Sequence, residues 1–263
     1  MSTPYWIKNY QEEGFVKNYL NSYTDKTGIQ STSNEVDFIQ KYIDLDKDSK
    51  IIDVCCANGR HVLEFARRGF TNIVGVDLSP LMLSLAKADA EREGISDNTD
   101  WQELDMRNLG NLEADLILNL FSSCGFFDTD EDNFAFFQSV NRALKIGGTF
   151  MLDLVPRESY IRNLNPQEWN EDENSIILRE QEFNLDTSRY VRKTIQIFKN
   201  DLKKRTERYS SARAFSIYEV NEWLKKAGFN IIHRFSSMGS SATEFDANTA
   251  EHLCVIAVKE RQI

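Results

Sequence analysis

The chain lacks the features that define several large classes of protein. It has no run of about 18 apolar residues, the length that crosses a bilayer as a helix, so no membrane partner is expected. It has no internal repeat, no Pro-rich linker and no low-complexity tract. Its four cysteines, Cys55, Cys56, Cys124 and Cys254, make no C-x-x-C pair, and there are only three histidines. That pattern predicts no metal site, and it fits buried thiols in a reducing compartment. Cationic charge is in deficit: 31 Lys and Arg stand against 41 Asp and Glu, for a formal net charge of −10. Proteins that hold a phosphate backbone neutralise it with Lys and Arg, so the balance argues against nucleic acid as the main partner. The N-terminal stretch MSTPYWIKNYQEEG is polar and aromatic, without the basic and apolar regions of a secretion signal. A cytoplasmic location is the expectation.

What is present is a soluble, globular composition, 41% hydrophobic and 27% charged over 263 residues. That length allows one large domain, or one domain carrying an insertion. Apolar spacing predicts helices at 4–23 and 34–45, the second capped by Asn34. From residue 50 to about 155, strands (50–55, 72–76, 99–104, 114–120, 148–154) alternate with helices (59–69, 79–93, 130–144). Residues 106–112 offer at most one helical turn. Such alternation predicts a parallel sheet covered on both faces, with ligands at the carboxyl ends of its strands. Segments 175–184, 188–198 and 205–216 instead alternate polar and apolar residues, as an antiparallel β insertion would. A helix at 217–227 and strands at 229–236 and 252–259 then complete the first pattern. The expected fold is an α/β, Rossmann-like, seven-stranded, mostly parallel sheet with a late antiparallel strand. Its expected parts are residues 46–155 and 216–263, with N-terminal helices (1–45) as a lid and the insertion (156–215) over the acceptor pocket.

The segment IIDVCCANGRHVLEFARRG, residues 51–69, concentrates the chemistry. An aliphatic strand carries one acid, Asp53, and enters a turn of small residues that ends at Gly59. Unpaired N–H groups at the following helix start can meet a ligand, and small side chains let it approach the backbone. The pattern is not the G-x-G-x-x-G of pyrophosphate binding, and an acid there suits a cationic ligand better. The second strand ends at Asp77, whose carboxylate can accept from both hydroxyls of a ribose. The third ends at Asp105 and Met106, where an acid can meet an adenine amino group beside a flat apolar contact. An N-cap role is equally natural for Asp105. The fourth ends in Asn119 to Ser123.

Together these motifs resemble the class I S-adenosylmethionine-dependent methyltransferases, and the stretch NLFSSCGFFDTDEDNFAFFQSVNRALKIGG resembles a bacterial subgroup (methyltransferase domain 25-like) acting mostly on small molecules. The resemblance implies S-adenosyl-L-methionine as cofactor. It implies Asp53, Cys55, Ala57, Gly59, Arg60, Asp77, Leu78, Met82, Asp105, Met106, Asn119 and Leu120 as its binding residues. Cys55 and Ala57 replace two family glycines, which implies a slightly displaced cofactor. Cys124 stands where the subgroup often has an aromatic, which implies a wider acceptor pocket. Arg60 is read as a partner of the cofactor carboxylate or a solvated helix-start residue, His61 as structural or cofactor support, and His233 and His252 as structural. The resemblance implies a small-molecule acceptor; no His–Asp or Lys–Asp base is evident, which slightly favours nitrogen over oxygen or carbon, or an acceptor acidic enough to ionise unaided. Alternatives are an RNA or peptide methyltransferase of the same fold, or a binding module without turnover. The catalytic residues and the oligomeric state are not legible.

Overall fold

The carboxyl ends of four consecutive parallel strands line up as the alternation predicts. In a computed structural model, which describes residues 26–263, these are β1 (Ile51–Val54), β2 (Ile73–Asp77), β3 (Thr99–Glu103) and β4 (Ala114–Asn119). With β5 (Leu144–Leu154), β10 (Phe229–Phe235) and β11 (Leu253–Lys259) they form a sheet of order β10-β11-β5-β4-β1-β2-β3. β11 runs antiparallel to both its neighbours. The sheet is the mostly parallel one expected, with one late antiparallel strand.

Period-2 alternation divides the core. Ile52, Val54, Ile117 and Leu152 pack with Phe136, Phe137 and Val140 of α4 (Asp130–Ala143) and Val220 and Leu224 of α6 (Ile217–Lys226). Ile51, Ile73, Leu118 and Met151 pack on the opposite face with Val36 and Ile39 of α1 (Lys26–Tyr42) and Val62 and Phe65 of α2 (Arg60–Arg67). Each fully buried side chain of this size contributes about 1.5–3 kcal/mol. α3 (Pro80–Glu93) is started by Ser79, whose side chain accepts from the N–H of Met82, with Pro80 at the first helical position.

The insertion is a four-stranded antiparallel sheet, β6 (Gln167–Glu171), β7 (Ser175–Asn184), β8 (Arg189–Phe198) and β9 (Asp201–Arg213). It is tied to the β4–α4 loop: the Arg213 N–H donates to the Gly125 carbonyl at 2.7 Å, and Arg189 Nη1 to the Phe127 carbonyl at 3.0 Å. Gly125 is left-handed at φ 84°, and a Cβ there would stand 2.2 Å from the Arg213 carbonyl oxygen. Only glycine permits this approach.

Several expectations change. The helix expected at 34–45 is Lys26–Tyr42, so Asn34 lies inside it, accepting from Gln30 at 2.9 Å, and caps nothing. β6 and the short α5 (Arg157–Arg162) follow β5 without having been foreseen, because both are polar and lack clear periodicity. β9 starts four residues before its expected position, whereas residues 106–112 form no helix, within the expected limit of one turn. The expected helix at 4–23 and its lid role lie outside the described residues. Among the described residues, no helix is long and apolar enough to cross a membrane.

Candidate active site

β1 delivers Asp53 into surroundings almost closed to solvent. The residue is 3% exposed, and its Oδ2 has no hydrogen-bond partner among the described residues. Burial pushes its carboxyl up to about 7, with Arg60 opposing and Asp77 adding to the rise. The turn after it keeps a glycine backbone without glycine. Cys55 and Ala57 hold φ at 63° and 50°, a conformation that strains a residue with a Cβ by about 1–2 kcal/mol. The Ala57 methyl packs with Met82, and the Cys55 Sγ lies 3.8 Å from the Met106 sulfur. Gly59 serves packing: a Cβ there would stand 2.3 Å from the Trp101 ring. Met82 is wholly buried beneath this turn.

The remaining strand ends form the expected row. Asp77 accepts from the N–H of Ala57 at 2.8 Å and of Ser79 at 2.9 Å, and also from the Leu78 N–H. Its carboxylate therefore joins the β1 turn to the start of α3. A carboxylate has about four acceptor sites, so with three N–H donors in place about one remains for a ribose hydroxyl. Asp105 is held by Arg107, whose N–H and guanidinium both donate to it. Burial works against its ionisation, but those bonds outweigh it and its carboxyl lies below the ordinary value. Met106 is buried, and Leu120 is in the core on the α1–α2 side. Asn119 is fully buried; its Nδ2 donates to the carbonyls of Val54 and Ser123, and its Oδ1 has no partner among the described residues. Cys124 is 6% exposed and packs within the core.

The structure also adds groups that the sequence did not reveal. Glu35 of α1 accepts from Arg60 and, at 2.8 Å, from His61. Thr32 also accepts from Arg60, at 2.8 Å. Arg60 is thus buried and paired rather than solvated. Burial works against ionisation of Glu35, but the hydrogen bond from His61 and the charge of Arg60 leave its carboxyl below the ordinary value. His61 is pushed down to about 4, by burial first and then by Arg60. It is therefore neutral at pH 7. Because its Glu35 partner only accepts, the Nε2 carries the proton, and the bare Nδ1 lies 3.8 Å from Asp53 Oδ2. Phe121 covers this group, its ring 4.5 Å from the Arg60 guanidinium carbon and 6.0 Å from the His61 ring. Phe121 and Ser122 are consecutive left-handed residues, φ 58° and 56°. They are held by Asp153, which accepts the Phe121 N–H at its Oδ2 (3.1 Å) and the Ser122 N–H at its carbonyl (2.9 Å). His252, assigned a structural role from sequence, approaches Asp153 with its Nδ1 at 3.3 Å.

One signal for Asp153 was available. MLDLV repeats the arrangement of IIDVC, an acid inside an aliphatic strand. Nothing in sequence links Glu35 to Arg60, which lie 25 positions apart on different helices.

These residues fit S-adenosylmethionine on the structure's own terms. A buried carboxylate oxygen without a donor suits its ammonium, a second strand-end carboxylate suits its ribose, and the intervening turn has the left-handed backbone of a glycine cradle. The Ala57 methyl, packed on Met82, does not require the displaced cofactor expected from sequence. Ala57→Gly is accordingly expected to change the affinity for S-adenosylhomocysteine less than about threefold. Its stability should change by less than about 1 kcal/mol, because strain relief is offset by lost packing and added unfolded-state entropy. Calorimetry and a melting curve check both; a tenfold gain in affinity would place the methyl in the cofactor slot.

Residues 51–148 match the family model of a methyltransferase domain. The chain is 30% identical over 136 residues to human "EEF1A lysine methyltransferase 2", a match covering 48% of this chain and 55% of that protein. It thus spans about half the length of this curated relative. A crystal structure of an S-adenosylmethionine-dependent methyltransferase from Clostridium acetobutylicum ATCC 824 superposes with TM-score 0.76 at 20% identity, covering 93% of this chain and 97% of the other. The S-adenosylmethionine-bound structure of CalS10, an amino pentose methyltransferase from Micromonospora echinaspora, gives 0.67 at 18% identity, covering 93% and 96%. Residues 51–148 thus match a methyltransferase domain, and the two solved structures share the Rossmann-like fold of this chain.

Proposed function

We propose that this chain, built on a class I methyltransferase domain, transfers a methyl group from S-adenosylmethionine to an amine nitrogen of a small molecule. The observation that carries the reading is the buried, unpartnered Asp53 oxygen beside a glycine-like turn, with Asp77 at the next strand end. When bound, the cofactor supplies a methyl group already activated by its sulfonium charge. Asp53 would hold its ammonium, Asp77 its ribose, and Met106 with Asp105 would flank its adenine. Phe121 and the strained loop after β4 would fix the acceptor's approach, so the protein acts by alignment and exclusion of water.

Two lines support an amine. The human relative and CalS10 are both named for amine-bearing acceptors, a lysine and an amino pentose. A small acceptor is the reading taken from the subgroup resemblance, with Tyr160 of α5, stacked on Tyr190 of the insertion at 4.5 Å and bonded to Ser122, as a wall of its site. A protein lysine is the second reading, on the strength of the human relative.

The test is calorimetry with S-adenosylmethionine, S-adenosylhomocysteine and NAD, followed by turnover on amino sugars, amino-sugar nucleotides and lysine peptides. Micromolar binding of the first two and none of NAD is expected, with turnover on a small amine. Turnover confined to lysine peptides would replace this reading with the second. Asp77→Asn, which keeps the shape but loses the charge, is expected to weaken S-adenosylhomocysteine about tenfold, consistent with loss of charge-assisted hydrogen bonds. Unchanged affinity in that variant would remove Asp77 from the ribose site.

A further inference from the structure

We infer that His252 and Asp153 form a proton-accepting dyad in the acceptor site, with His252 Nε2 as the base that deprotonates the acceptor's ammonium. The inference rests on the amine reading above, because an amine at neutral pH carries a proton that must leave before its nitrogen can be methylated.

The geometry has three parts. First, Asp153 fixes the ring. It is 2% exposed at the side chain, and its Oδ1 lies 3.3 Å from His252 Nδ1. A carboxylate only accepts, so Nδ1 carries the proton and Nε2 is left basic. Asp153 is the only side-chain hydrogen-bond partner of His252 among the described residues, and the imidazole side chain is 35% exposed, open to a substrate.

Second, the dyad lies where the reaction needs it. Asp53 is level with Leu118, Leu118 with Met151, and Asp153 is two residues further along the same face of β5. Strand spacing and rise place the Cα atoms of Asp53 and Asp153 about 12 Å apart. That separation accommodates the methionine end of the cofactor and an acceptor nitrogen between them.

Third, one residue connects both ends. Phe121 lays its ring on Arg60 and His61 and donates its N–H to Asp153. The left-handed backbone at Phe121 and Ser122 is the strain stored by that connection. Tyr160, hydrogen-bonded to Ser122, closes the flank.

The charged groups around His252 favour this role. Asp153 on β5, foremost, and Glu251 beside the ring favour its protonated form, against the opposing effect of burial. Arg162 of α5 is bound to the carbonyls of Ala247 and Ala250. In the step itself the ammonium N–H bond breaks, its electron pair stays on nitrogen as the lone pair that takes the methyl group, and the proton goes to Nε2. Asp153 stabilises the imidazolium until water removes the proton.

Two measurements decide the matter. In protein labelled with nitrogen-15 at its three histidines and saturated with S-adenosylhomocysteine, neutral His252 is expected to be the Nδ1–H tautomer. Its ring should titrate above the ordinary histidine value of about 6.5. Asp153→Asn should lower that titration. An ordinary titration with mixed tautomers, unmoved by Asp153→Asn, overturns the dyad without any acceptor being known. On the best amine from the panel, His252→Gln should lower kcat about 100-fold, with KM and S-adenosylhomocysteine affinity changed less than about twofold. The acid limb of the rate profile should vanish with it. Unchanged kcat, or a loss confined to KM, would overturn the catalytic role. If wild-type protein fails to bind S-adenosylhomocysteine, it is the proposed function that fails, and the titration without nucleotide still tests the dyad.

Discussion

Asp53→Asn is expected to raise the stability of the protein at pH 8 while weakening cofactor binding. In the folded chain the Asp53 carboxyl is raised to about 7 from an ordinary 3.8. Between those values the folded state holds a proton that the unfolded state has lost. The stability from this group is therefore full below pH 3.8 and declines as pH rises to 7. At pH 8 the ionised, buried carboxylate weakens folding by up to about 4 kcal/mol, because each tenfold difference in proton affinity between the two states is worth about 1.4 kcal/mol. Asparagine keeps the shape and removes the charge, although its own unmade hydrogen bonds offset part of the gain. The variant should melt higher at pH 8 by several degrees, at about 2–4 °C per kcal/mol for a chain of this size, and lose the advantage near pH 4. Cofactor affinity should fall about 100-fold, because the ammonium loses its counter-charge. Wild-type affinity should rise from about pH 6 to about pH 7.5 as Asp53 ionises, and the variant's should not. Melting curves at pH 4 and pH 8 with calorimetry across that range check each point. A variant that is less stable at pH 8 would mean that Asp53 contributes to the fold rather than straining it.

The second large effect is expected at Glu35. Glu35→Ala leaves the Arg60 guanidinium buried with its carboxylate removed, and takes the acceptor from His61 Nε2; the side chains of Glu35 and Arg60 are 7% and 9% exposed. Breaking a buried pair by deleting one partner typically destabilises by about 3–5 kcal/mol, so a fall of about 10 °C in melting temperature is expected. The pH dependence has a definite sign. The folded Glu35 carboxyl lies below its ordinary 4.5. Its contribution is present above that value and is lost as pH falls through the folded pKa, so the gap between wild type and variant should narrow in acid. Urea denaturation at pH 7 and pH 4 measures both quantities. A loss under about 1 kcal/mol at pH 7 would show that Thr32 and the Phe121 ring hold Arg60 without Glu35.

Asp53 and Asp77 were visible in sequence, because each interrupts or closes an apolar strand, and desolvation makes such placement costly without a purpose; Asp105 follows a polar third strand and was placed only by its position in the row. The mostly parallel sheet was visible for the same reason: buried strands joined by helical crossovers leave few other arrangements. The polar elements β6 and α5 were not, since they bury little and have no strong period. Nor was the packing of the Ala57 methyl on Met82 visible, since it depends on where the next helix lies.

Local chemistry thus determined the sheet, the turn and the acids at the strand ends, since each depends on neighbours along the chain. Pairings across 25 to 99 positions, Glu35 with Arg60 and His61, and Asp153 with His252, were decided only when α1 packed on α2 and β11 entered beside β5. A buried charge must be paired, but the sequence does not say with what; the packing of distant elements supplies the partner.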